Sequence, residues 1–396
     1  MLEKSVWREF AAVTFSIAIV GIGLGSTLPL TALVLTNRGY GPDIIGWMIA
    51  AAALGGVLGT FATPSLVTRC GRRPVMIACF LLATASVIPL QYIESIPLWM
   101  LLRFLFGAAM AALFLIGESW INVLPGDAVR GRVVAIYTTS FTLFQVLGPL
   151  FTDRLSRYPD QAFLLCGLLF LLGLPGISIA GEGRKMADLN NSQPEVAPDK
   201  IMSWLAIIGK APVIIVGTAF FASFDTIVLS FLPLVGLDHG FTQSRALLAP
   251  AIVLAGDAAL QYAVGWLSDH VGRARVHRSC GLAVCLMLPL LPLVIRWPGV
   301  WECYLFLLGG FAGAIYTLSM VESGEKFSGV GLLRISGLIG LTWNISSSAV
   351  PAVTGMLMQR FGSAAMISVL WVMAAGFLML TVVRPTVTSK NIGSLS

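Results

Sequence analysis

The sequence predicts an all-α membrane protein of twelve spanning helices arranged as two pseudo-symmetric halves of six, and three observations lead there. Hydrophobic residues make up 57% of the 396-residue chain and charged residues 11%, which leaves too little polar surface to cover a soluble globule. Twelve apolar runs can be placed along the chain, each long enough to cross about 30 Å of hydrocarbon. The stretch Gly265 to Arg275 has an imperfect copy 201 positions earlier, at Pro64 to Pro74. With that shift Leu66 falls on Leu267, Gly71 on Gly272, Arg72 on Arg273 and Gly39-Tyr40 on Gly240-Phe241, without a gap.

The runs lie at 10–36, 44–66, 75–93, 97–121, 133–153, 162–180, 211–236, 246–267, 279–295, 301–321, 333–358 and 363–383. The first is longer than a signal-peptide core and no small-residue cleavage site follows it, so it reads as a retained helix. With both termini in the cytoplasm, eighteen of the 25 Lys and Arg residues fall in cytoplasmic loops and tails. Six fall in the outer loops and one, Arg103, lies inside a helix. This bias satisfies the positive-inside rule and accounts for the net charge of +6, so a nucleic-acid partner is not invoked. The six cysteines, Cys70, Cys79, Cys166, Cys280, Cys285 and Cys303, show no metal-ligand spacing and read as small packing residues. The expected units are a six-helix bundle over 1–180, a cytoplasmic linker over 181–203, where Glu, Lys, Asn, Gln and Pro replace the apolar pattern, and a second bundle over 204–396. Residues 201–210, with Trp204, read either as a short interfacial helix or as an extended start to the seventh span.

Individual helices add detail. Gly21, Gly23 and Gly25 in the first run, and Gly55 and Gly59 in the second, permit close helix approach in lipid. The fourth run opens with Arg103-Phe104-Leu105-Phe106-Gly107 and ends with Gly117-Glu118-Ser119-Trp120. A basic turn, Arg130-Gly131-Arg132, precedes the fifth, which carries Thr138, Thr142 and Gln145 on one face and then Gly148-Pro149. At an offset of 202, Thr142 falls on Asn344, Gln145 on Ser347 and Pro149 on Pro351. The tenth run ends in Val321-Glu322-Ser323.

The motif Gly265-Trp266-Leu267-Ser268-Asp269-His270-Val271-Gly272-Arg273-Ala274-Arg275 resembles the G-x-L-(S/A)-D-x-x-G-R-x-(R/K) loop of the major facilitator superfamily, which joins the second and third helices of each half. The N-terminal copy departs from it at Pro64 and Thr68. Arg103 to Gly107 is similar to the family's R-x-x-x-G element. Gly148-Pro149 resembles its antiporter motif, although Thr152-Asp153 stand where further glycines belong. The Glu-Ser-Trp element is most like the YcaD-type branch. The resemblance implies a transporter that is not an enzyme, with a central cavity near the membrane midplane, lined by the seventh helix and flanked by the eighth, and working by alternating access.

No G-x-x-x-x-G-K-(S/T) loop occurs, so energy is expected from a gradient and not from ATP through that motif. Asp225 and Asp257 lie near the middles of the seventh and eighth runs. A charged, unpaired aspartate at that depth costs several kcal/mol, which suits proton exchange; the alternative is a hydrogen-bond acceptor for a neighbouring helix. On helical spacing Asp225 shares a face with Thr218, Phe221 and Leu229, and Asp257 with Pro250 and Gln261. The resemblance places Arg103 beside the transport path, acting on a nearby acid; a packing arginine snorkelling to the interface is the alternative. Glu118 and Glu322 are expected to gate the cytoplasmic side by pairing with the basic turns of their own halves, Arg72 and Arg73 or Arg273 and Arg275, unless these are plain surface bridges. Asp269 corresponds to the family's latch between halves, a charge Thr68 cannot supply, so the latch is expected to be asymmetric. Thr142, Gln145, Phe221, Trp343, Asn344 and Ser347 complete the expected cavity, or else hydrogen-bond between helices.

The resulting expectation is proton-coupled transport of small organic molecules, neutral or cationic amphipathic compounds, with efflux ahead. Uptake through the same site, and a transporter-like receptor or scaffold, are the alternatives. No metal or cofactor is expected beyond the proton gradient. The expected setting is a bacterial inner membrane, the partners a small-molecule substrate and the lipid bilayer, and the state a monomer.

Overall fold

The computed structural model describes residues 4–123, 130–179, 208–327 and 329–383; the whole of the expected linker, 181–203, together with Trp204 and the tail after 383, lies outside them. Within these residues the chain is helical apart from short connecting turns. The first half comprises α1 (Lys4–Asn37), α2 (Pro42–Cys70), α3 (Arg72–Val87), α4 (Ile96–Val123), α5 (Arg130–Leu155) and a broken α6 (Ala162–Leu171 and Leu174–Ile179). The second comprises α7 (Pro212–Asp238), α8 (Gln243–Val271), α9 (Arg273–Val294), α10 (Val300–Lys326), α11 (Gly329–Phe361) and α12 (Ala364–Val383). Among the described residues ten spans are long and apolar enough to cross a membrane. The other two helices, α5 and α11, are 26 and 33 residues long and are packed among them. All twelve runs read from the sequence are therefore present.

Two of the expected runs are interrupted, both beside proline. α3 stops at Val87 and continues as a 3-10 turn over Ile88–Gln91, because Pro89 cannot donate to the helical ladder. The sixth span breaks at Leu172-Gly173, just before Leu174-Pro175. The repeat itself is written in the backbone. Gly71 and Gly272, the glycines of the two motif copies, have φ of 88° and 104°, a region that a side chain would make costly. Each donates its N–H four residues back, to Val67 O and Ser268 O. That turn lets α3 and α9 reverse at once after α2 and α8.

Packing repeats as well. In each half the second and fourth helices cross backbone to backbone through glycine. A Cβ on Gly55 would lie 1.8 Å from Phe104 O, and one on Gly107 would lie 1.8 Å from Ala52 O. Their counterparts in α8 and α10, Gly256 against Phe306 O at 1.8 Å and Gly309 against Val253 O at 2.0 Å, do the same. Such contacts are how helices associate in lipid, where burying apolar surface gives no advantage. α1 packs on α5 through Gly25 and Gly148.

The halves meet through α2 with α11, α5 with α8 and α1 with α7. The first two contacts lie at the end of the bundle that carries the α1–α2 turn. There Gly46 abuts Pro351 O, Gly355 abuts Pro42 O, Ser348 donates to Ala50 O at 3.3 Å and Ser244 donates to Asp153 Oδ1 at 2.5 Å. Towards the opposite end, which carries the α2–α3 turn, the same helices expose Phe61, Tyr262, Trp266, Leu143 and Ile345, and Gly265 and Gly340 meet nothing within 4 Å. The halves are closed at one face and part towards the other.

The glycine crossings yield a stability test. Gly55→Ala should lower stability in detergent by about 1–3 kcal/mol, since the added methyl meets backbone that has nowhere to go. Gly265→Ala, made into open space, should leave it unchanged or raise it slightly. Thermal unfolding of both purified variants checks the contrast.

Candidate functional site

The two acids singled out in the sequence stand in the middle of α7 and α8. α7 is apolar on nearly every side and almost wholly enclosed. Asp225, near its middle, is half-buried. It sits one turn from Phe221 and bears electrostatically on Asp257 of α8. Asp257 is 7% exposed and accepts a hydrogen bond from Gln261 Nε2, one turn on, at 3.0 Å.

The repeat explains how α8 accommodates a carboxylate. Asp257 occupies the helix-crossing position that is Gly56 in α2, at the offset of 201. Its partner across the crossing, Gly313 of α10, corresponds to Ala111 of α4. A Cβ on Gly313 would lie 1.5 Å from Asp257 Oδ1. The carboxylate fills the space that the missing methyl leaves.

Aromatic rings lie beside the acids. Phe221 stacks on Tyr316 of α10 with centroids 5.4 Å apart, and Trp343 of α11 meets both rings edge-on, at 5.9 Å and 5.2 Å. Phe224 stacks on Phe221 at 6.4 Å. Glu118 of α4 is exposed and lies close enough to Tyr316, across the gap, and to Tyr137 of α5 to act electrostatically on both hydroxyls. It is therefore a residue of the gap between the halves as well as of the end of α4. Neither tyrosine stands out in the sequence, where each is one aromatic residue in an apolar run.

The expected cavity residues divide. Thr142, Gln145, Trp343 and Asn344 are half-buried. Asn344 donates to Gly340 O of its own helix at 2.9 Å and turns its Oδ1 towards Gly56 of α2, on the seam between halves. Ser347 is 8% exposed and bonds back to Trp343 O at 2.7 Å, so it satisfies itself within α11. The repeat gives Gln145 and Ser347 equivalent positions along their helices without giving them the same environment.

Arg103 is neither snorkelling nor beside the two acids. It is 1% exposed within the first half, 5.1 Å from the Phe106 ring, with Cys166 of α6 as its electrostatic neighbour. Its Nε and Nη1 have no hydrogen-bond partner among the described residues. Among the described residues its electrostatic neighbour is a thiol of its own half, and Asp225 and Asp257 lie on α7 and α8 of the other.

The expected gate pairs are also rearranged. Arg72 has Glu9 of α1 as its electrostatic partner, and Arg73 Nη2 donates to Ser178 O at 2.7 Å. In the second half Arg273 pairs with Asp269 at 3.0 Å and with Glu325, whereas Glu322 is buried beside His277 and Lys326. The acid that serves this turn is Glu325, because Glu322 lies on the inner face of α10. Asp269 bonds within its own half, one turn from Arg273, and among the described residues it has no partner in the other half. Arg275 is exposed, 3.5 Å from Val271 O, and Thr68 bonds back to Ser65 O.

Comparison with known proteins agrees with this architecture. The family model for the Major Facilitator Superfamily matches residues 13–351. A Bacillus subtilis (strain 168) protein named as an uncharacterized MFS-type transporter, YfkF, is 23% identical over 368 residues, 90% of each chain. The similarly named YcaD of Escherichia fergusonii is 24% identical over 324 residues, 80% of each. A solved structure described as a D-xylose-proton symporter superposes with a TM-score of 0.76 at 16% identity, covering 96% of this chain and 97% of its own.

The contact of Asp257 with Gly313 can be tested by coupling. Gly313→Ala should destabilise the chain by about 1–3 kcal/mol. Combined with Asp257→Ala, which removes the clashing group, its cost should fall by more than about 0.5 kcal/mol below additivity. Unfolding of the two single variants and the double variant measures this.

Proposed function

The chain belongs to the Major Facilitator Superfamily, whose members are transporters and not enzymes, and from that premise we propose that it couples proton movement to the transport of small organic molecules. The observation that carries the reading is the pair Asp225 and Asp257, within reach of each other's charge in the middle of two spanning helices. Among the described residues none donates a hydrogen bond to Asp225. Two carboxylates so placed hold one charge at most without a large penalty, since neither low-dielectric surroundings nor a like-charged neighbour favours ionisation. A group that must be neutralised by a proton in one conformation and can reach water in the other is what coupling requires.

The surroundings favour a substrate class. Phe221, Tyr316 and Trp343 offer aromatic faces, and Glu118 and Asp225 offer negative charge. Arg103 is sealed in the first half, so nothing basic from α4 answers them. Multiply anionic or phosphorylated compounds would call for several Arg or Lys groups. Neutral or cationic amphipathic compounds fit better, with the ring cluster taking the apolar body and the acids the charge.

The distribution of Lys and Arg favours a cytoplasmic position for the α2–α3 face and both termini, and the bacterial relatives suit a location in the inner membrane, as a lipid-embedded monomer with the proton gradient as its energy source. In that orientation the conformation described is closed to the outside and parted towards the cytoplasm. Export is the direction we favour. Uptake is the second reading, supported by the fold shared with a protein described as a D-xylose-proton symporter.

Asp225→Asn tests the proposal. In proteoliposomes it should abolish transport driven by a pH gradient while leaving folding and energy-independent substrate exchange largely intact; full pH-driven transport by this variant would rule Asp225 out as the coupling acid. Asn344→Leu and Gln145→Leu should shift apparent substrate affinity or selectivity well beyond any change in thermal stability. Loss of stability with unchanged transport of every compound tried would make both residues structural.

A further inference from the structure

A second group of ionisable side chains is buried where α9 meets α10, away from the gap between the halves. His277, one turn into α9, is 3% exposed and Glu322 of α10 is 7% exposed. The imidazole Nε2 lies 3.0 Å from Ile315 O and 3.4 Å from Ser319 Oγ. Its Nδ1 lies 3.8 Å from Glu322 Oε2, and the other carboxylate oxygen pairs with Lys326 Nζ. The Phe377 ring of α12, 4.9 Å away, closes one side, and Gly217 of α7 stands against Ser319 on another. The charged groups nearby are Lys326 and Glu325 on α10 and Arg273 and Arg278 on α9. Arg278 is directed to Thr381 O of α12, at 3.0 Å.

This geometry fixes where protons can be. A backbone carbonyl only accepts, so Nε2 carries a hydrogen and Nδ1 of a neutral ring is a bare lone pair. That lone pair faces a carboxylate oxygen. Two acceptors opposed in a buried site repel unless a proton lies between them. We propose that His277 and Glu322 share a single proton and form, with Lys326, a proton-binding site in the second half that is distinct from Asp225 and Asp257. Gly313, which marks Asp257, and Glu322 are nine residues apart on α10, roughly 13 Å at the helical rise. The half-exposed Lys326 gives this site its contact with water. With the proton in place α9 and α10 are bridged; without it they are pushed apart, next to the Arg273–Glu325 pair that joins the same two helices.

The test needs no transport, so its failure and the failure of the transport reading are distinguishable. The chain has three histidines, and His239→Gln with His270→Gln leaves His277 alone to be observed by 15N NMR in the purified, detergent-solubilised protein. At about pH 5 its Nδ1 should give the resonance of a protonated or strongly hydrogen-bonded nitrogen. In a hydrogen-ion titration from about pH 8 to about pH 5, Glu322→Gln made in that background should bind one proton fewer per chain. His277→Gln in the parent serves for the same count if the first variant does not fold. A bare lone-pair signal for Nδ1 at the acid end, or equal proton counts with and without the pair, would overturn the proposal.

Discussion

The rest of the structure depends on two backbone crossings, α2 over α4 and α8 over α10. Helices in lipid gain little from hiding apolar side chains, so their association rests on dispersion contacts at short range. Gly55 and Gly107 in one half, and Gly256 and Gly309 in the other, bring main chain against main chain. Those contacts fix how each half is built. They also leave the outer faces of α2 and α8 free to meet α11 and α5 of the opposite half.

The acid site follows from the same crossing. One position along it is Gly56 facing Ala111 in the first half and Asp257 facing Gly313 in the second. A carboxylate is wider than a hydrogen, and the helices keep their separation because the partner gives up its methyl. The two halves thus share a frame and differ in chemistry. The first encloses an arginine with Phe106 and Cys166, and the second holds two interacting aspartates beside a cluster of rings. That difference lets a symmetric scaffold carry an asymmetric function.

Contact between the halves is concentrated at the face of the α1–α2 turn, where glycines again allow close approach at Gly46 and Gly355. The basic turns at the other face are engaged inside their own halves, through Ser178, Asp269 and Glu325. Charges occupied in this way are held by partners of their own half. Local ion pairs of this exposure are weak, about 1 kcal/mol or less, so exchanging one set for another would cost little.

By itself the sequence determined the membrane class, the twelve spans, the repeat at 201 and the depth of Asp225 and Asp257, because each of these is a property of order along the chain. Hydropathy, glycine spacing and charge bias are local sums that need no knowledge of neighbours. Azimuth was another matter. Its place at the cytoplasmic end of the tenth run put Glu322 near the Arg273 turn, but whether it faces that turn or the interior depends on how α10 is rotated against α9. Only the packed structure turned it inward to His277 and gave the turn to Glu325. Arg103 shows the same limit, since the motif identifies the residue but only the packing of α4 against α6 shows it enclosed and not snorkelling. Tyr316 and Tyr137 were invisible because an aromatic residue in an apolar run looks alike whether it faces lipid, core or gap. The environment of a side chain is set by helices distant in sequence, and that information enters only with the tertiary structure.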